Sequence, residues 1–475
     1  MIKIYNTLKR DKEEFKPLED NKIGMYVCGP TVYDVPHIGH ARSAYVFDFI
    51  RKYFEYAGYD VKFVRNVTDV DDKIINKSVA ELVKEGKEAA GDPLRSKVKE
   101  VAERYLDQYN REMAVFGIKN PTREPKATEY IGEMIKFIGG LIEKGFAYPS
   151  GGDVYFSVEK FPDYGKLSRQ NTDEMLHGVR KDVNENKRHQ LDFALWKSAK
   201  PGEPSWPSPW GEGRPGWHIE CSVMSTKELR ATFDIHGGGL DLMFPHHENE
   251  IAQAEAATGE PFARYWIHNG LLTVNGEKMS KSLGNYITIK EYLDKYQDPD
   301  LLKIMYLMSH YRSAVDFTET KIHEAAVLKS RVVTFVSTFK RYSAGEVAAD
   351  AGLREKFIKA MDDDFNTPLV LAVLNEAVSA GNSHLAACVS GDEKAASLAA
   401  PFKSLVDEIT SIFGIGTEEK KETVDNADEI EKLIAERNSA RKNKDFKTAD
   451  AMRKKLSDMG ITIEDTPKGT IWRKH

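Results

Sequence analysis

In His37-Ile38-Gly39-His40 two imidazoles stand three residues apart, just ahead of an apolar stripe at helical spacing through Tyr45, Val46, Phe49, Ile50, Tyr53 and Phe54. The N–H groups and dipole of a helix N-terminus favour a phosphate, and imidazoles placed there can donate hydrogen bonds to its oxygens. Gly39 leaves the backbone open to a nucleotide. Lys278 and Lys281, in NGEKMSKSLGN, put two ammonium groups on a turn-rich segment, which suits a polyphosphate whose charge moves during reaction. Taken singly, each segment is equally well a solvated turn. A third set has metal-ligand character. Cys28 follows an apolar run, Cys221 in GWHIECS reads as the end of a strand, and FPHHENE sets His246 and Glu250 four apart on one helix face. Two thiolates, an imidazole and a carboxylate make a tetrahedral zinc set. Linear spacing does not bring Cys28 to Cys221, so a core cysteine and a solvated helix start account for these residues too. His247 and Glu248 read as surface groups or as groups supporting the metal's ligands, and Cys388, on an alanine-rich helix, as core packing.

These groups need a scaffold. Ile23 to Cys28 reads as a buried strand ending at a Gly-Pro turn; the helix after it closes at Gly58, and Val61 to Val64 is a second strand. This βαβ unit implies a parallel doubly wound sheet, with ligands at the carboxyl ends of its strands, where Cys28 and the histidines fall. From about Pro121 to Gly216 the chain reads as an insertion: a helical pattern through Ile135, Phe137, Ile138 and Leu141, a hairpin in AYPSGGDVYFSV, and a Pro/Trp-rich loop. Strand-like and helical segments resume at His218. Beyond Tyr311 the chain is mostly helical; EEKKETVDNADE is a polar linker, and the end is one charged helix through Ala449 and Met452 followed by a hairpin in GITIEDTPKGTIWRKH. The 475 residues exceed what one core supports, so several domains are expected. With 41% hydrophobic and 30% charged residues there is no apolar run fit to cross a membrane, and the first residues carry no signal core, so neither export nor membrane insertion is expected. Three cysteines argue against a disulfide framework and for a reducing cytosol. The net charge of -6 gives no overall signature of nucleic-acid binding, though a local basic patch would suffice.

The pair HIGH and KMSKS resembles the signature of class I aminoacyl-tRNA synthetases. The wider text, MYVCGPTVYDVPHIGHARS, NVTDVDDKI, LWK, GRPGWHIECS, FDIHGGGLDLMFPHHENEIAQ, EKMSKSLGN and MDDDFNTP, is similar to the cysteinyl-tRNA synthetase family over nearly the whole chain. The resemblance implies an α/β fold: a Rossmann-like doubly wound parallel-sheet catalytic domain in two halves, 1–120 and 217–270, split by a connective insertion at 121–216. A KMSKS loop and stem-contact region at 271–310, a helical tRNA-binding bundle at 311–417 and a small mixed α+β anticodon-binding module at 427–475 would follow. It implies a cytoplasmic, monomeric enzyme that activates L-cysteine with ATP and Mg²⁺ and transfers it to the 3′ end of tRNA(Cys). By the same resemblance His37 and His40 bind the ATP phosphates and stabilise the transition state, and Lys278 and Lys281 hold the departing pyrophosphate. Gly39, Gly238, Gly239 and Asp241, with Lys281, meet ATP, and Gly29, Thr68, Trp217 and His236 line the amino-acid pocket. One zinc ion falls to Cys28, Cys221, His246 and Glu250.

Adenylation uses the substrate's own carboxylate as nucleophile, so alignment and charge stabilisation suffice and no catalytic triad is needed. The sequence carries no dedicated carboxylate cage for Mg²⁺. Serine differs from cysteine only by oxygen for sulfur, and apolar pocket fit separates a methylene by only about 10–200-fold. Zinc binds a thiolate far better than an alcohol, and the insertion reads as too short and unpatterned for an editing domain. Four protein ligands close a tetrahedral shell, so sensing a thiol calls for a fifth ligand or a weakly held Glu250. At the tail, Arg437, Arg441, Lys442, Lys444, Lys447, Arg453, Lys454 and Lys455 face Asp445, Asp450 and Asp458. This is a solvated charged face or, with Trp472 beside it, a surface for phosphates and stacked anticodon bases. An enzyme passing cysteine to an amino sugar would have no use for such a module, and a nucleotidylyltransferase none for the long helical tail. A catalytically dead zinc-dependent RNA binder would not need His37, His40, Lys278 and Lys281.

Overall fold

The computed structural model describes residues 1–475 apart from 171–185, 281–282, 343–344, 346, 390–394, 419–426, 467–468 and 475. A short antiparallel pair, β1 (Lys3–Asn6) and β2 (Asp11–Glu14), precedes β3 (Lys22–Val27), α1 (Ile38–Tyr56) and β4 (Asp60–Arg65). In β3, Ile23, Met25, Tyr26 and Val27 are all buried, so both faces are covered, as an inner strand of a parallel sheet requires. α1 is buried on more than one side: Phe47 lies against Gly237 of the sheet, while the predicted stripe of Tyr45, Val46, Phe49, Ile50, Tyr53 and Phe54 is buried with Tyr45 against Tyr306 and Phe49 against Phe413. The chain turns after it at Gly58, whose φ is 94°. α2 (Asp72–Lys84) and α3 (Gly91–Val115) pack on one another around Ile74, Leu82, Leu94, Val98 and Val101.

The insertion holds α4 (Ile131–Glu143), which buries Ile131, Met134, Ile138 and Leu141, and an antiparallel sheet. Its strands β5 (Ala147–Ser150), β6 (Asp153–Phe156), β7 (Phe193–Ser198) and β8 (Gly213–Pro215) run in that spatial order. The predicted hairpin is β5–β6, with Ser150 opposite Asp153 across Gly151 and Gly152, both at positive φ as a two-residue turn needs. One apolar cluster joins Met134, Ile138, Val154 and Trp196 of the insertion to Tyr26, Val64, Ile219 and Ile251, so the insertion has no separate core.

The second half of the catalytic sheet corrects one expectation. Cys221 does not end a strand but lies in α5 (Trp217–Glu228). Seven consecutive residues there, Ile219 to Ser225, are buried, which erases the helical period from the sequence. β9 (Phe233–Gly239), α6 (Glu248–Thr258) and β10 (Ala263–Asn269) complete a four-stranded, all-parallel sheet in the order β10-β9-β3-β4. It is the doubly wound sheet that the βαβ reading predicts. Its register sets Val27 beside Gly237 and Arg65, and Gly238 beside His268. A three-stranded sheet follows, β12-β11-β13, made by β11 (Leu272–Val274), β12 (Glu277–Lys278) and β13 (Val315–Phe317); α7 (Ile289–Tyr296) and α8 (Pro299–Leu307) lie between the last two in sequence.

The chain divides into two compact units. One comprises Met1–Lys329, Gly352–Leu374 and Glu408–Ile415, the other Ser330–Ala351, Asn375–Asp407 and Gly416–His475. The helices after Tyr311 are α9 (Glu319–Phe339), α10 (Ala351–Asp362), α11 (Thr367–Val389) and α12 (Ala395–Phe413), and their residues are divided between the two units. Cys388 is buried on α11, as core packing would have it. The polar linker near Glu418 lies largely outside the described residues. The charged tail is two helices, not one: α13 (Ala427–Lys442) and α14 (Phe446–Asp458), parted at Lys444 (φ 62°) and restarted by Asp445, whose carboxylate accepts from the Thr448 N–H at 3.1 Å. β14 (Ile461–Thr466) and β15 (Gly469–Lys474) form the predicted hairpin, over a small core of Ile430, Leu433, Ile434, Leu456 and Ile461. Arg437 is buried against Asp465 (2.6 Å), which Arg441 also reaches, so two of the eight basic residues hold the module together. The Trp472 side chain lies outside the described residues. No helix among the described residues is long and apolar enough to cross a membrane.

Candidate active site and metal centre

A cleft of about 420 Å³ opens at the carboxyl ends of the parallel strands. Of the predicted site residues, Cys28, Gly29, His37, Gly39, His40, Trp217, Gly239, Asp241 and Lys278 line it. Cys221, Thr68, His236, Gly238, His246 and Glu250 lie behind its wall, and Lys281 is outside the described residues. Thr68 is buried with its hydroxyl on the Glu220 carboxyl (2.6 Å), and His236 is fully buried against Glu250; neither lines the cleft as a pocket residue would.

His37 and Lys278 are 241 positions apart, yet their segments meet. The Ile38 N–H donates to the Ile287 carbonyl (3.1 Å), the Ile289 N–H to that of Pro36 (3.2 Å), and His37 pairs with Thr288 as an isolated antiparallel bridge. Asn285 steadies the loop, accepting from the Ser280 N–H (2.8 Å) and donating to the Lys278 carbonyl (3.2 Å). His37 is the N-cap of α1: its Nδ1 accepts from the N–H groups of Gly39 (3.1 Å) and His40 (3.3 Å), while His40 Nδ1 accepts from the His37 N–H (3.3 Å). The helix N-terminus is therefore closed by its own histidine. The Gly39 and His40 N–H groups, expected to face phosphate, are already engaged. The same bonds place the proton of each neutral ring on Nε2, so each presents an Nε2–H donor. Burial lowers the His40 pKa to about 4, so it is neutral at pH 7. The two rings stack at 3.7 Å.

Behind Cys28 lies a buried cluster. Cys28 Sγ is 3.7 Å from Cys221 Sγ and 3.4 Å from Glu250 Oε1, and His246 Nε2 is 3.0 Å from that same oxygen. These four donor atoms lie within 4.8 Å of one another, the spread of a tetrahedral shell. Outer partners orient them: His236 Nε2 meets Glu250 Oε2 at 2.7 Å, His218 Nδ1 meets His246 Nδ1 at 2.9 Å, and Trp217 stacks on the His246 ring at 4.2 Å. Burial opposes charge on Glu250, but His236 and His246 outweigh it and hold its pKa well below the ordinary carboxylate value. Burial pushes the Cys28 thiol up; at Cys221 burial is outweighed by the contacts with Cys28 and His246, and the pKa falls. Two sulfurs, an imidazole nitrogen and a carboxylate oxygen gathered in one buried space are the donor types zinc takes, so the donor chemistry fits zinc.

The same space offers a second donor set that the linear reading missed: Cys28, His236, His247 and Glu250. His247 and Glu248 are buried, not on the surface. Glu248 accepts from the N–H groups of Gly165 (3.0 Å), Leu167 (3.3 Å) and Ser168 (2.8 Å), pinning the insertion to α6. His247 Nε2 is 3.3 Å from Cys28 Sγ, and its Nδ1 begins a relay to His268 Nε2 (2.8 Å), whose Nδ1 meets Thr7 Oγ1 (2.9 Å). The one linear sign of this relay was a histidine at an inward position of an apolar strand, YWIHN.

Burial, and secondarily His236, pushes the His268 pKa down to about 3. The folded ring is neutral and the unfolded one titrates near 6.5, so this contribution to stability is complete above about pH 6.5. It should fade by about 1.4 kcal/mol per pH unit as pH falls toward 3. Denaturant midpoints between about pH 7.5 and 5 should therefore drop less steeply for His268→Gln than for the parent.

Comparison with known proteins agrees with this geometry. The family model "tRNA synthetases class I (C) catalytic domain" matches residues 14–327, a DALR domain matches 356–418, and a "Cysteinyl-tRNA ligase anticodon binding domain" matches 423–473. The solved structure of Mycobacterium tuberculosis methionyl-tRNA synthetase in complex with methionyl-adenylate shares the fold at a TM-score of 0.58 and 16% identity, covering 82% of this chain and 90% of that one. Fold and site thus define a class I aminoacyl-tRNA synthetase. Within that class the chain belongs to the cysteine–tRNA ligase family. It is 50% identical to the cysteine–tRNA ligase of Geobacter metallireducens over 99% of both chains, and 47% identical to that of Carboxydothermus hydrogenoformans over the full length of both.

Proposed function

We propose that this chain activates L-cysteine with ATP to cysteinyl adenylate and transfers cysteine to the 3′ end of tRNA(Cys), as a cytoplasmic monomer. The observation that carries this reading is that the imidazole pair, Lys278 and Cys28 line one cleft, with Cys28 also in the buried metal cluster. ATP, with its Mg²⁺, lies along the cleft floor by Gly39 and Gly239, and the Asp241 carboxylate suits a ribose hydroxyl. The Nε2–H groups of His37 and His40 donate to the phosphate oxygens that gain charge as cysteine's carboxylate attacks the α-phosphorus. Lys278, with Lys281, balances the charge on the departing pyrophosphate. Cys28, Cys221, His246 and Glu250 hold the zinc, which when bound lowers a thiol's pKa and prefers its thiolate to an alcohol. Cys28 then places that preference at the cleft wall, beside the exposed edge of Trp217.

ATP–pyrophosphate exchange and charging of tRNA(Cys), each measured with cysteine and with serine, test the reading. Exchange and charging with cysteine alone are expected; equal use of serine, or exchange that cysteine does not stimulate, would sink it. The C-terminal module has its own small core, so ending the chain at Asn426 should leave exchange within about twofold. Charging should fall at least about tenfold, since each lost base stack costs about 1–3 kcal/mol.

A further inference from the structure

We propose that Arg42 is a positioning residue, whose guanidinium fixes the sheet carrying Lys278 against the helix that begins at the two histidines. Arg42 sits on α1 two positions after His40 and is 1% exposed. Its Nη1 donates to the carbonyls of Gly270 and Leu271, both at 2.6 Å, in the lead-in to β11. Its Nη2 donates to those of Tyr311 (3.2 Å) and Ser313 (2.5 Å), in the lead-in to β13. β11 in turn pairs with β12, setting Thr273 opposite Lys278. One side chain of the imidazole-bearing helix thus holds both lead-ins of the sheet that aims the ammonium.

The chemistry requires this residue type. Four carbonyl oxygens converge on one buried point, where their dipoles repel unless a cation lies between them. Among the described residues no carboxylate pairs with Arg42, so the carbonyls alone balance its charge. A planar fork with two Nη atoms spans both segments, and a lysine, with three donors on one point, does not. The joint is also tight: a Cβ on Gly270 would lie 2.3 Å from the Ser313 carbonyl oxygen. All four Nη protons are spent on the chain itself, so the fork acts on the fold; the Nε–H has no partner among the described residues, and Arg42 also borders the cleft.

The inference rests on the activation reading above, and its test is a cycle of Arg42→Lys and Lys278→Ala in cysteine-dependent exchange. Arg42→Lys should lower kcat about 50-fold, the scale of an ångström of misplacement, with KM for cysteine within about twofold. Adding it to Lys278→Ala should change kcat by no more than about threefold, because the ammonium it aims is gone. Losses that multiply, or an Arg42→Lys enzyme with full kcat and only a lower Tm, would overturn the proposal. If Arg42→Lys does not fold, Gly270→Ala opens the same joint from the other side and enters the same cycle, with the same outcomes deciding. Absence of exchange in the parent enzyme would instead refute the activation reading.

Discussion

Cys221→Ala should strip the metal from the full chain and lower cysteine activation by about 10³-fold or more. It should also reduce the preference for cysteine over serine to the 10–200-fold that pocket fit alone supplies. Two donor sets share Cys28 and Glu250, and the variant separates them. The set with Cys221 and His246 is favoured by its outer contacts. Glu250 keeps Oε1 toward Cys28 and His246 while His236 holds Oε2, and His246 points Nε2 inward while His218 holds its Nδ1. In the other set His236 would have to ligate through the same Nε2 that orients Glu250, and its Nδ1 has no hydrogen-bond partner among the described residues. Two sulfurs 3.7 Å apart also match zinc better than one sulfur with two imidazoles and an acid. Metal content per chain, with exchange measured for both amino acids, decides the matter. His247→Gln should keep its metal, whereas His236→Gln, which frees Glu250, should weaken binding by about 10–100-fold. Retention of metal by Cys221→Ala together with its loss in His247→Gln would select the other set.

What the linear text reveals follows from how local each signal is. The β3–α1–β4 unit was readable because its strand, helical stripe and turn at Gly58 obey short-range rules, and the hairpin at Gly151-Gly152 for the same reason. The helix under Cys221 was not, since burial on every side removes the period that marks a surface helix. The relay from His247 through His268 to Thr7 spans 261 positions between its last two members, and no spacing rule crosses that distance. The capping role of His37 was hidden differently. A histidine before a helix reads as a ligand for something outside the chain, while its Nδ1 first satisfies the chain's own N–H groups. Arg42 is inconspicuous in GHARS because its partners are carbonyls, which carry no sequence signature.

Gly29→Ala should be the most damaging change of a single methyl group, through the scaffold rather than the pocket. By resemblance Gly29 belongs to the amino-acid site, and it does line the cleft. Yet a Cβ there would lie 1.7 Å from the Asn66 carbonyl oxygen and 2.8 Å from its carbon, on backbone that cannot rotate aside. The Gly29 N–H also donates to Asn66 Oδ1 (2.8 Å), so the ends of β3 and β4 are drawn together at this residue. Any side chain must part them, and Cys28, one position earlier, moves with the break. We expect overpacking to cost about 1–3 kcal/mol of stability. Activation should fall by about 10²–10³-fold because Cys28, which borders the cleft and joins the metal cluster, is displaced, and metal should be held less tightly. Gly39→Ala offers the contrast: its Cβ would meet only the His37 ring, at 2.9 Å, and Met279, so folding and metal should survive while kcat falls. Thermal unfolding, metal titration and exchange read on both variants distinguish a strand junction from a substrate contact. A Gly29→Ala enzyme with parental Tm and metal affinity but a raised KM for cysteine would return Gly29 to the pocket.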